Sequence, residues 1–155
     1  MRSVYRVLAA LIALEVMVQA AALAFAFSGL DHWVSSGGVV DSAAIEGDTD
    51  PFPEAVGLLV HGINGGIVVP ALALLLLVVS FFARIPRGVT WAVAVFVLVM
   101  VQTMLGYSAG DLPALGALHG LNALLLFASA LVAAHRARPL RAAAAEHATA
   151  DAATR

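Results

Sequence analysis

Polar residues are so sparse along this chain that its uninterrupted apolar runs define the elements directly. Four runs, at roughly 6–28, 55–82, 89–108 and 112–134, are each long enough to cross ~30 Å of hydrocarbon at ~20 residues per helix. The pattern predicts an all-α fold, a transmembrane four-helix bundle spanning residues 1–135, followed by an Ala-rich tail at 136–155. The connection at 29–54 is far longer than two adjacent helices need, and it predicts an external lid over one mouth of the bundle. Gly37-Gly38 and the stretch from Asp48 to Pro53 predict turns there rather than continuous helix.

Apart from Glu15, charges lie at the ends of the runs or between them and sort by sign. Arg2 and Arg6 precede the first run, Arg84 and Arg87 separate the second and third, and His135, Arg136, Arg138 and Arg141 follow the fourth. The first connection carries Asp31, Asp41, Glu46, Asp48, Asp50 and Glu54, the third carries Asp111, and neither holds an arginine. The positive-inside rule then sets both termini and the 83–88 turn in the cytoplasm, with the acidic loop outside a cytoplasmic (inner) membrane.

Composition agrees and narrows the chemistry. Hydrophobic residues make up 62% of the chain and charged residues 12%, the reverse of a soluble domain's balance. Cysteine is absent, which excludes a disulfide, a thiolate metal site and an iron–sulfur cluster. A net charge of −2, with no lysine-rich patch and no Gly-rich phosphate loop, argues against a nucleic-acid partner or soluble nucleotide chemistry. Arg2, Arg6 and Ala22-Leu23-Ala24 also fit a cleaved signal peptide. The run from Val7 to Phe27 outlasts the usual apolar core of ~7–15 residues and holds Glu15 at its middle, so it is assigned as a retained span.

The same hairpin is written twice. Met17-Val18-Gln19 recurs as Met100-Val101-Gln102, and His61-Gly62-Ile63-Asn64 recurs as His119-Gly120-Leu121-Asn122. Two hairpins of the same topology, related by a pseudo-twofold axis along the membrane normal, follow from that repeat. At ~1.5 Å per residue, the six side chains of Gln19, Gln102, His61, His119, Asn64 and Asn122 fall in one layer in the outer half of the bundle. An unpaired polar group in hydrocarbon costs several kcal/mol, so this layer is expected to face inward. Interhelical hydrogen bonding is one use for it, locking the bundle or a homodimer as a non-catalytic packing module. Two symmetric histidines at matched depth favour a second use, a His-ligated cofactor.

Other residues refine the choice. Gly62 with Gly66 and Gly116 with Gly120 form small-xxx-small pairs beside the histidines, and with Gly65 and Gly106 they provide room for a flat group or for close helix packing. Pro70 is expected to kink the second span and free a carbonyl near Gly66. Structural zinc takes four ligands, and catalytic zinc takes three plus water. Two opposed imidazoles without cysteine suit bis-histidine haem iron instead, here one haem b per chain. Glu15, the only carboxylate inside the membrane, lies one turn from Gln19 on the same face. It is expected to border the cofactor cavity or to bond a neighbouring helix. His32 is read as interfacial, and His135 and His147 as tail residues.

Gln102-Thr-Met-Leu-Gly106, Leu112-Pro113, His119 and Ala123-Leu-Leu-Leu-Phe127 together resemble the paired third and fourth helices in one half of the haem A synthase family. The resemblance covers about residues 55–134 and implies a haem-binding four-helix bundle with His61 and His119 at the axial-ligand positions. The family's second helix typically carries a Glu shortly before its His and an Arg directly after it, whereas Val60 and Gly62 flank His61 here. The chain also matches only one half of the family's length and has no outer-side arginine for haem propionates, which leaves loop groups such as Trp33, Ser35 or Ser36 to meet them. The expected function is a b-type haem protein for electron transfer, haem handling or redox sensing, with an unnamed redox partner. The alternatives are the packing module and a haem-modifying oxidase similar to that family.

Overall fold

The computed structural model describes residues 1–41, 50–110 and 112–138. Glu46, Asp48, Asp111, Arg141, His147 and the tail beyond residue 138 lie outside the described residues, with the readings placed on them. The four expected spans are four helices: α1 (Arg2–Ser35), α2 (Pro53–Ala83), α3 (Gly88–Ser108) and α4 (Pro113–Arg136), each long and apolar enough to cross a membrane.

α1 is longer than its apolar run. Its 34 residues reach about 51 Å at ~1.5 Å per residue, well beyond the hydrocarbon thickness. Asp31, His32 and Ser35 are polar but not helix-breaking, so residues 29–35 continue the helix where the sequence predicts loop. Termination waits for Gly37, at φ 95°, after which the Gly38 N–H bonds to the Trp33 carbonyl at 3.0 Å. The start of α2 folds back onto this extension. The Trp33 and Phe52 rings pack at 5.8 Å, and Gly29 lies so close to Glu54 that an added Cβ would overlap the Glu54 side chain.

α2 opens with a 3-10 turn at Pro53–Ala55, runs as α-helix over Val56–Ile63 and widens to a π turn at Asn64–Val68 before resuming over Val69–Ala83. The π turn, in which the Val69 N–H bonds to the Asn64 carbonyl, takes up the distortion expected around Pro70. α2 and α3 are joined by a tight turn with Arg84 and Arg87 at φ 51° and 58°. Arg2 donates to the Arg84 carbonyl at 2.7 Å and the buried Tyr5 hydroxyl donates to the Gly88 carbonyl at 2.9 Å, which ties the N-terminus to this turn at the arginine-bearing end.

Each helix packs on its neighbours in sequence, and α4 returns to α1 to close a four-membered ring. α2 and α4 are therefore diagonal partners, as are α1 and α3. The half towards the arginines is filled by Tyr5, Ile12, Leu76, Val95 and Leu126, with Ala9, Ala73, Ala92 and Ala130 where helices approach closely. In lipid, apolar burial does not drive helices together, so small contact residues and dispersion hold this half. The opposite half contains the polar layer and a cavity.

Candidate functional site

His61 and His119 project from the diagonal helices α2 and α4 and meet across the bundle centre, ring centroids 6.0 Å apart and planes at 58°. Each is held by the preceding helix of its own hairpin: His61 Nδ1 lies 3.3 Å from the Gln19 carbonyl and His119 Nδ1 lies 3.0 Å from the Gln102 carbonyl. A carbonyl oxygen only accepts, so His119 carries its proton on Nδ1 and leaves Nε2 with a free lone pair. His61 Nδ1 has a second neighbour. The Gln19 amide satisfies its surroundings with its nitrogen towards His61, 2.8 Å from Nδ1 and 2.9 Å from the His61 carbonyl, while its oxygen accepts from Asn64 Nδ2 at 3.0 Å. His119 is thus fixed in one tautomer, whereas His61 can take either.

The asparagines brace the same hairpins from one turn deeper. Asn122, buried, donates to the Leu98 carbonyl at 2.9 Å and to Gln102 Oε1 at 2.6 Å. Asn64 donates to the Glu15 carboxylate, and Glu15 stands where Leu98 stands in the second copy. The repeat therefore holds in its hydrogen-bond scheme, with a side-chain acceptor in the first hairpin where the second uses backbone. Among the described residues no buried side-chain N or O atom lacks a partner.

A cavity of about 560 Å³ opens between the histidines, within the ~300–1,000 Å³ usual for small-ligand sites. Its walls follow the repeat. His61, Gly62, Gly65, Gly66 and Val69 of α2 match His119, Gly120, Ala123, Leu124 and Phe127 of α4. Val16, Gln19, Ala20 and Leu23 of α1 match Val99, Gln102, Thr103 and Gly106 of α3. Gly62 and Gly120 are not packing glycines: a Cβ built on either meets nothing within 4 Å. Gly57 is one, since a Cβ there would lie 2.4 Å from the Ala22 carbonyl oxygen of α1. Gly106 lets the His119 ring approach, its built Cβ falling 3.1 Å from the imidazole Cε1.

Of the residues singled out in the sequence, His61, His119, Gln19, Gln102, Gly62 and Gly120 line the cavity, while Glu15, Asn64 and Asn122 stand behind it as braces. None of the described residues of the 29–54 connection lines it, Trp33, Ser35 and Ser36 included. The sequence reading missed Tyr107, which lines the cavity with its hydroxyl close to Gly66. Its only sequence signal was an aromatic hydroxyl one turn after Thr103, near the outer end of its span.

The separation of the two rings suits imidazoles that share one metal ion. With metal–imidazole bonds of about 2.0–2.1 Å and roughly 1.1 Å from nitrogen to ring centre, two imidazoles on one ion have centroids about 6.3 Å apart. The observed 6.0 Å is close to that. Among the described residues no group of three His, Asp or Glu side chains suited to a metal occurs, so the two imidazoles are the protein nitrogens an ion at this place would meet.

Glu15 gives a prediction that separates brace from cavity wall. Glu15→Gln keeps an acceptor for Asn64 and is expected to leave stability nearly unchanged, whereas Glu15→Leu leaves the amide with one partner fewer and should cost ~0.6–2 kcal/mol. Steric-trapping or thermal unfolding in detergent measures both, and equal stabilities would remove the brace. No family model, curated protein or solved structure matches this chain.

Proposed function

We propose that the protein is a b-type haem-binding protein of the cytoplasmic membrane, with His61 and His119 as the axial ligands of one haem per chain, serving electron transfer, haem handling or redox sensing. The carrying observation is the pair of imidazoles from diagonal helices, 6.0 Å apart across a 560 Å³ cavity, each followed by a glycine whose Cβ position is open space. The resemblance to one half of the haem A synthase family points the same way. The arginine-bearing end is assigned to the cytoplasm by the positive-inside rule.

When bound, haem iron supplies a one-electron couple. The chain's own part is to hold and insulate it. The Gln102 carbonyl, and the Gln19 carbonyl once His61 is in its Nδ1–H form, orient the rings and raise the basicity of each Nε2. Val16, Val69, Val99 and Phe127 exclude water and lower the local dielectric, which sets the potential.

The test is the absorbance of the protein purified in mild detergent from haem-replete cells. A Soret band that sharpens on reduction, at one haem per chain, is the expected result. A preparation that stays colourless after haem addition would overturn the reading and leave the hydrogen-bonded layer as a packing device. Chromatography of the extracted haem separates a carrier from a haem-modifying oxidase, because only the oxidase returns an altered macrocycle.

A further inference from the structure

At the arginine-bearing end a second hollow, about 730 Å³, lies between α1 and α4, away from the histidines. Arg6 and Ala10 of α1 form one side of it, and Leu131, His135 and Arg136 of α4, with Arg138 just beyond, form the other. Arg6 and Arg136 are exposed on its rim. Arg136 is steadied by α3, its guanidinium carbon 5.7 Å from the Trp91 ring centre, so a face of its charge is oriented rather than swinging in solvent. Every aspartate and glutamate among the described residues lies elsewhere: Glu15 within the bundle, and Asp31, Asp41, Asp50 and Glu54 at the opposite end. Its lining joins arginines to apolar side chains, and Ala10 and Leu131 are exposed, each one helical turn towards the apolar part of its span from Arg6 and His135.

We propose that this hollow is a binding site for an anionic phospholipid, the phosphate held between Arg6 and Arg136 and an acyl chain laid along Ala10 and Leu131. Its position carries the choice of occupant. The hollow opens where the first and fourth spans leave the apolar zone, the level of lipid headgroups, and Trp91 sits at the depth favoured by interfacial aromatic residues. Basic pockets between spans on the arginine-rich side suit anionic headgroups, and the apolar part of the lining has a use only if the ligand brings chains. The proposal is independent of the haem reading, because no residue of this hollow lines the cavity between the histidines.

The test uses the full-length protein in detergent, delipidated and then titrated with phosphatidylglycerol, phosphatidylcholine or inorganic phosphate, with retained lipid read by native mass spectrometry and the melting temperature by thermal shift. Phosphatidylglycerol should be retained and raise the melting temperature, while phosphatidylcholine and phosphate alone should do neither. Arg6→Gln should weaken phosphatidylglycerol binding about fivefold and the Arg6→Gln/Arg136→Gln double variant about 30-fold, from the usual contribution of one arginine near a membrane surface. Arg6→Gln alone changes an exposed side chain, so it reports binding even if loss of the Arg136–Trp91 contact unfolds the double variant. Equal retention of the two lipids, an unchanged affinity in Arg6→Gln, or a full shift from phosphate alone would each overturn the proposal.

Discussion

With haem bound as proposed, His61→Ala and His119→Ala are each expected to abolish a low-spin haem spectrum and to lower haem retention by well over the ~10–100-fold typical for losing only an outer partner of a metal ligand. Each would leave such an iron with a single protein ligand. The two need not fail alike. His119 is locked by one carbonyl at 3.0 Å with Nε2 unprotonated, whereas His61 Nδ1 faces a carbonyl at 3.3 Å and the Gln19 amide nitrogen at 2.8 Å. In His61→Ala the remaining imidazole is already in the ligating tautomer, so residual five-coordinate haem should persist longer there than in His119→Ala. Reduced-minus-oxidised spectra and haem per chain measure both effects. His32→Ala, on the α1 extension, serves as the control. An unchanged low-spin spectrum in either histidine variant would remove that residue as a ligand.

The same side chains show how far the sequence could be read. Helix number, order and sidedness of charge were legible because hydrocarbon imposes span length and arginine marks span ends. The HGxN repeat located the polar layer because hydrocarbon penalises polar groups so heavily that they must converge. What failed to show is what depends on backbone. The acceptors for both histidines are main-chain carbonyls of Gln19 and Gln102, which every residue possesses and no side-chain pattern announces. The continuation of α1 to Ser35 was hidden for a related reason, since hydropathy marks where lipid ends, not where a helix ends. Glu15 shares a helical face with Gln19, and both accept from Asn64; what the spacing did not show is that Asn64 stands behind the cavity wall and holds Glu15 there.

Glycine is where sequence left two meanings open, close packing or empty room, and the structure separates them by space. Gly62→Leu and Gly120→Leu each place a Cβ where no atom lies within 4 Å, at exposed positions that line the cavity, so that carbon enters without displacing a neighbour. Replacing glycine inside a helix also favours the helical backbone by up to ~1 kcal/mol. If the cavity is merely a packing defect, both variants should keep or raise the melting temperature and change nothing else. If it holds a flat macrocycle against the histidines, the leucine takes part of that volume, and haem retention should fall by about tenfold or more, the equivalent of an overpacking cost of ~1–3 kcal/mol. Gly57→Ala is the counterpart. Its Cβ would stand 2.4 Å from the Ala22 carbonyl oxygen, where only a shift of α2 away from α1 gives relief, so it should cost about 1–3 kcal/mol through overpacking. Stability measured beside haem content for the three variants sorts them: loss of haem with stability kept at Gly62 and Gly120, and loss of stability at Gly57. Full haem retention in both leucine variants would mean that the space beside the histidines is not where the cofactor sits.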